Sequence, residues 1–164
     1  MKKDDIHPNS PLRSLFNVAK KAMENAYSPY FKHPVGAAIS TNYMTYSGVN
    51  VEIANGDGTC AEVGAIVDMV KNGQRLIESI AIVGPSEKLC TPCGRCRQRI
   101  REFANDNTQI YVFNNDGDLL NSYTMEEPDP ELFVPDESAR QEVMDDLERV
   151  RATRNGAAVE ACLR

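Results

Sequence analysis

The sequence predicts an α/β layered domain built on a mixed five-stranded sheet. Three observations lead there. Helical and strand periodicities interleave along the chain, the pattern of a layered α/β fold. Ser79-Ile-Ala-Ile-Val83 is almost wholly apolar, as a strand buried on both faces is. And 164 residues, 41% of them hydrophobic, suffice for one domain with a true core but not for two ordinary ones.

Leu12, Leu15, Phe16, Ala19, Ala22, Met23 and Ala26 recur at three- and four-residue steps, which predicts an amphipathic helix over 12–26. Pro11 suits its first turn and Ser28-Pro29 ends it. Val35–Ile39 and Tyr43–Val49 read as an antiparallel hairpin turning at Thr41-Asn42. The stretch Ala54–Thr59 is rich in turn residues. A second helix follows from Cys60 to Lys71, with Asn72-Gly73 as its stop. After the 79–83 strand, Pro92 opens a third helix to about Phe103. Gln109–Phe113 makes a strand parallel to 79–83, an Asn115-Asp116-Gly117 turn follows, and Leu119–Tyr123 completes the sheet. Pro128 and Pro130 break the chain, and Glu137–Arg151 carries Val143, Leu147 and Val150 on one helical stripe. Residues 1–135 thus form the main domain and 136–164 an acidic helical extension.

Charge separates the same zones. Residues 1–124 hold 13 basic and 13 acidic side chains, whereas 125–164 hold 5 and 11 and carry the whole net charge of −6. An acidic chain of this kind argues against a nucleic-acid-coating protein. No apolar run reaches the ~20 residues of a membrane-spanning helix, and the charged start lacks the apolar stretch of a secretory signal. A cytoplasmic protein is expected.

Five cysteines are present: Cys60, Cys90, Cys93, Cys96 and Cys162. An odd count without a signal peptide fits a disulfide framework poorly. Three of them fall where helices begin, Cys60 at the second helix and Cys93 and Cys96 at the third. A helix amino terminus favours thiolate through its free N–H groups and positive dipole. Two such termini facing each other can hold one zinc through three thiolates and leave a fourth position open, the mark of a catalytic site. Glu62, two residues past Cys60, can stand beside the metal as a proton carrier. Cys93-x-x-Cys96 also admits a redox pair, or a closed four-cysteine site that recruits Cys90. Cys162 reads as a free thiol.

Cys60-Ala61-Glu62, followed by Pro92-Cys93-Gly94-Arg95-Cys96-Arg97-Gln98, closely resembles the cytidine deaminases and their relative blasticidin-S deaminase, which share this ligand pattern with other zinc deaminases. Tyr30, Pro34–Ala38, Gly48–Glu52, Glu126-Glu127, Pro130, Phe133 and Pro135 extend the resemblance over residues 12–135. It implies a three-layer α-β-α fold and a hydrolytic deaminase with one Zn²⁺ per chain on Cys60, Cys93 and Cys96. Zinc lowers the pKa of bound water toward ~7, so hydroxide is available to attack C4 of an aminopyrimidine. Glu62 would carry the protons to ring N3 and to the departing amine. Asn50 and Glu52 resemble the pair that holds the ribose 3′-hydroxyl. The Ala61 N–H would meet the pyrimidine O2, and Phe133 the closing aromatic, which in the family often reaches in from a neighbouring subunit. A homotetramer is implied. Three thiolates on Zn²⁺ leave a net −1, and donors around the sulfurs can offset it.

Four departures mark the substrate question. His33 stands where the family stacks an aromatic on the base. The loop from Glu52 to Cys60 is one residue shorter and lacks the usual tyrosine. Pro128-Asp129 replaces paired leucines. Val63 replaces a common arginine, whose compensating role passes to Arg95. Val63 with Arg95 resembles blasticidin-S deaminase, whereas Glu52 resembles the cytidine enzymes. The expected substrate is therefore cytidine, deoxycytidine or a base-modified cytosine nucleoside, with a cytosine-nucleoside antibiotic such as blasticidin S as the alternative. A zinc-stabilised nucleoside-binding protein without catalysis is the non-enzymatic alternative, but it would need neither an open metal position nor Glu62.

Overall fold

The computed structural model describes residues 1–54, 56, 58–86 and 90–126. After a 3-10 turn at Lys3–Asp5, the elements are α1 (Pro11–Met23), β1 (Gly36–Ser40), β2 (Thr45–Val49), α2 (Ala61–Lys71), β3 (Ile77–Val83), α3 (Gly94–Phe103), β4 (Ala104–Phe113) and β5 (Leu119–Thr124). The helix expected at 137–151, with its 136–164 extension, lies outside the described residues.

The five strands form one sheet in the order β2-β1-β3-β4-β5. β1 runs antiparallel to β2 and β3, β3 parallel to β4, and β4 antiparallel to β5. Both the hairpin and the parallel pair therefore match expectation. The side-chain alternation of β3 divides the core into two. Ile80 and Ile82 pack with Ala65, Ile66 and Met69 of α2 and Ile100 of α3. Ala81 and Val83 pack with Leu15, Phe16, Ala19 and Met23 of α1. Ile80, Ala81, Ile82 and Val83 are all fully buried, as a strand covered on both faces requires. Each isoleucine so buried contributes roughly 1.5–3 kcal/mol relative to exposure.

Local chemistry sets the ends of the helices. Ser10 Oγ accepts the Arg13 N–H at 3.2 Å and caps α1, with Pro11 in the first turn. α1 stops at Met23 rather than Ala26, because the last backbone bonds tighten to Asn25 N–H on Ala22 and Ala26 N–H on Met23. α3 begins at Gly94, with Cys93 as its cap, so Pro92 sits outside the helix it was expected to open. The Cys93 carbonyl accepts the Arg97 N–H at 2.9 Å, which fixes that start.

Candidate active site

Cys60 and Cys93 occupy equivalent places, each the cap of a helix with extended backbone, and neither side chain accepts a helix N–H. Their sulfurs are thus not spent on capping. Cys96, in the first turn of α3, is buried beneath them. The Sγ atoms of Cys60, Cys93 and Cys96 all lie within 4.8 Å of one another. α2 is brought to this place by a close backbone approach: a Cβ on Gly48 of β2 would lie 2.1 Å from Ala65 N and 2.3 Å from Ala61 O.

The donor set suits zinc, with three soft sulfurs, tight spacing and a fourth side left for another ligand. The thiols already share charge unequally. Hydrogen bonding from the Cys96 thiol draws Cys60 down to about 6 against the pull of burial, and Cys93, Arg95 and Arg99 add to the fall. Cys96, the donor in that bond, is correspondingly raised.

Glu62, also in the first turn of α2, is 5% exposed. Burial pushes its carboxyl up to about 7, helped by the negative charge on Cys60 and opposed by its own backbone N–H and by Cys96. A carboxyl poised there can take and return a proton at neutral pH.

These groups open onto a cavity of about 420 Å³ whose walls include His33, Asn50, Glu52, Ala61, Cys90 and Arg95. That volume is in the range of small-molecule sites. Asn50 and Glu52 are both in its wall, and both also brace the segment before β1. Asn50 accepts the Val35 N–H at 2.7 Å and donates to the His33 carbonyl at 2.9 Å. Buried Glu52 accepts the Tyr30 and Phe31 N–H groups on Oε2, at 2.8 and 3.0 Å. Its Oε1 makes no hydrogen bond among the described residues. His33 does face the cavity, and its Nε2 meets Cys90 Sγ at 3.6 Å. Arg95 is exposed at the rim, where its charge bears on Cys60. Phe133 lies outside the described residues.

Cys90 is in the cavity wall, although the sequence offered it only as the fourth ligand of a closed metal site. It is absent from the three-sulfur group, and burial, with the Glu62 and Cys60 charges, pushes its thiol up to about 11. Nothing local signals its partner, which stands 57 positions earlier.

A five-stranded sheet carrying a three-thiol centre and a buried carboxylate at two helix starts defines a zinc-binding deaminase domain. Residues 10–112 match the family model of the cytidine and deoxycytidylate deaminase zinc-binding region, and the chain belongs to that family. It is 41% identical over 110 residues to a cytidine deaminase of Sporosarcina psychrophila, covering 66% of this chain and 81% of that one. It is 39% identical over 85 residues to a blasticidin-S deaminase of Bacillus cereus, covering 46% and 61%. The crystal structure of a cytidine deaminase from Burkholderia pseudomallei superposes with a TM-score of 0.67 at 34% identity, covering 73% of this chain and 97% of that one.

Proposed function

We propose that the protein is a zinc-dependent hydrolytic deaminase of cytidine, deoxycytidine or base-modified cytosine nucleosides, releasing the uracil nucleoside and ammonia, or an amine where N4 is substituted. The observation that carries this reading is the meeting of three sulfurs within 4.8 Å with a carboxylate two residues along the same helix, beside a cavity. Bound zinc supplies Lewis-acid charge that makes water a competent nucleophile near neutral pH.

Glu62 takes a proton from the attacking water and delivers it to ring N3. As the C4–N bond breaks, Glu62 takes the proton of the hydroxyl newly formed at C4 and hands it to the departing amine, leaving C4 as a carbonyl. The Ala61 N–H, at the head of α2, holds the pyrimidine O2. Glu52, through the Oε1 that the Tyr30 and Phe31 N–H groups do not use, takes the ribose 3′-hydroxyl together with the Asn50 amide. Arg95 offsets the negative charge of the thiolates.

We place the catalytic unit in residues 1–135, supported by the extent of the sheet, and the acidic extension in 136–164. A homotetramer is supported by apolar side chains left exposed near the cavity mouth, among them Tyr30, Phe31 and Ile53. A cytoplasmic location is supported by the free thiols of the site. Among the described residues no helix is long and apolar enough to cross a membrane, and the acidic charge speaks against a nucleic-acid partner. Deamination of a cytosine-nucleoside antibiotic is the second reading, supported by the similarity to the Bacillus cereus enzyme.

Chromatography of zinc-loaded protein with cytidine, deoxycytidine, N4- and C5-substituted cytidines and blasticidin S is the test. Deaminated product from at least one cytidine substrate is expected. Product from blasticidin S alone selects the second reading, and no product from any of them overturns both.

A further inference from the structure

His33 and Cys90 come from separate segments and meet on the cavity wall. Each is held from behind. The Asn50 amide fixes the His33 carbonyl, and so the backbone from which the imidazole projects. Cys90 stands against Gly84, where a Cβ would come within 2.7 Å of the Cys90 Cβ. Only glycine leaves the thiol its place there. Both side chains line the same cavity as Cys60, Glu62 and Cys93, so the pair shares its walls with the reacting centre.

The two side chains satisfy each other, but weakly, because a thiol is a poor donor and a poor acceptor. A hydroxyl from a ligand both donates and accepts, and bonds to imidazole nitrogen more strongly than a thiol does. A methyl group or a bare ring C–H offers the pair nothing. We infer that His33 and Cys90 form a specificity-determining pair that opens to take a hydrogen-bonding substituent on the cytosine ring beside the reacting carbon. The enzyme then favours a 5-hydroxymethylated cytosine nucleoside over one bearing an apolar group of similar size. This rests on the deaminase reading and narrows its substrate class.

The size of the preference follows from what happens when the substituent is missing. A site whose polar groups are stranded by the wrong substrate rejects it by ~10⁴-fold or more. Here the pair closes on itself instead, so the expected preference is about tenfold, the worth of one ordinary net hydrogen bond.

The experiment compares kcat/KM of the zinc-loaded protein for cytidine, 5-methylcytidine and 5-hydroxymethylcytidine. Calorimetry gives Kd for the products 5-methyluridine and 5-hydroxymethyluridine. Variants are Cys90→Val, Cys90→Ser, His33→Phe and the double Cys90→Val/His33→Phe, each checked for zinc content and melting temperature. The parent should prefer the hydroxymethyl compounds about tenfold in both measurements. The preference should fall within twofold in Cys90→Val and in His33→Phe, fall no further in the double variant, and survive in Cys90→Ser. Turnover of cytidine with no preference in the parent, or a preference that outlasts both single variants, overturns the pair while the deaminase reading stands. Absence of product from all three substrates overturns the cytidine-deaminase reading on which the pair rests, and the Kd ratio then decides the pair alone.

Discussion

Glu62 is caught between two demands. Burial in the first turn of α2 disfavours its charge, yet proton transfer needs a carboxylate that titrates near neutrality. Glu62→Gln keeps the shape and removes the titration. It should lower kcat by about 10⁴-fold or more, the top of the range for a general acid–base group, with one zinc per chain retained. A loss within tenfold would remove Glu62 from its role. The same substitution has a thermodynamic signature in metal-free protein. A carboxyl raised from 4.5 to about 7 on folding is protonated in the folded state while already ionised in the unfolded one, so stability falls as pH rises through that window. Against the parent, metal-free Glu62→Gln should therefore gain up to ~3 kcal/mol between pH 4 and pH 8, read from urea melts. The cysteines divide equally sharply. Cys90→Ser should keep one zinc per chain by elemental analysis, because its sulfur is outside the three-sulfur group, whereas Cys93→Ser should lose it. At this scale the sequence was informative wherever chemistry is encoded by spacing along one helix, as in Cys60 with Glu62 or Cys93 with Cys96. It was silent on the Cys90–His33 contact and on the bracing bonds of Asn50 and Glu52, which depend on how distant segments meet.

Between elements, the decisive contact is β2 against α2. Gly48 has α2 backbone where a side chain would be, and Gly64 of α2 faces it, with a Cβ there 3.1 Å from Gly48 Cα. Two glycines thus let a strand and a helix touch main chain to main chain, which fixes Cys60 and Glu62 relative to Asn50 and Glu52. Gly48→Ala places a methyl group where backbone cannot yield. Overpacking of this kind costs typically 1–3 kcal/mol, and with no flexible side chain to move aside the upper end is expected. Because the shift falls on the start of α2, zinc affinity should fall along with the denaturation midpoint. A variant that melts early but holds zinc as tightly as the parent would show that Gly48 serves packing alone. The element boundaries tell a related story. Strand 79–83 was legible because burial on both faces makes a run of apolar residues. β4 starts five residues earlier than its apolar run, at Ala104, where Asn105, Asp106 and Asn107 carry no strand signal. That early part is held by non-local bonds, with Ala104 opposite Ile77 and Thr108 Oγ1 donating to the Ile77 carbonyl at 2.8 Å. Local sequence does not record such bonds.

Across the whole molecule, charge and topology keep the site apart from the far edge of the sheet. The order β2-β1-β3-β4-β5 puts Asn50 and Glu52, just past β2, at one edge and the β4–β5 turn at the other. At that far edge Asp118 ties down the first residues of the chain. It accepts the Lys3 N–H at 2.7 Å and pairs with Lys2 Nζ at 2.9 Å, while Met1 and Leu119 exchange backbone bonds. The Lys3 N–H, then Lys2, hold the Asp118 carboxyl below its usual 3.8. A depressed carboxyl stabilises the fold above its unfolded pKa and stops doing so as pH falls through the lower, folded value. Because its partner Lys2 is exposed and the tie holds only the first residues, the effect is a local release rather than a global unfolding. Below pH 3.8 the amide protons of Lys3 and Leu119 should thus lose protection from hydrogen exchange before those of β3 do. Asp118→Asn should show the same early loss already at pH 7, where the parent does not. Its kcat/KM at pH 7 should match the parent within twofold, because none of the cavity-lining residues lies in 1–3 or 113–119. A larger fall in kcat/KM would mean that the amino-terminal tie is felt across the sheet, and that the two edges are mechanically coupled through β3 and β1.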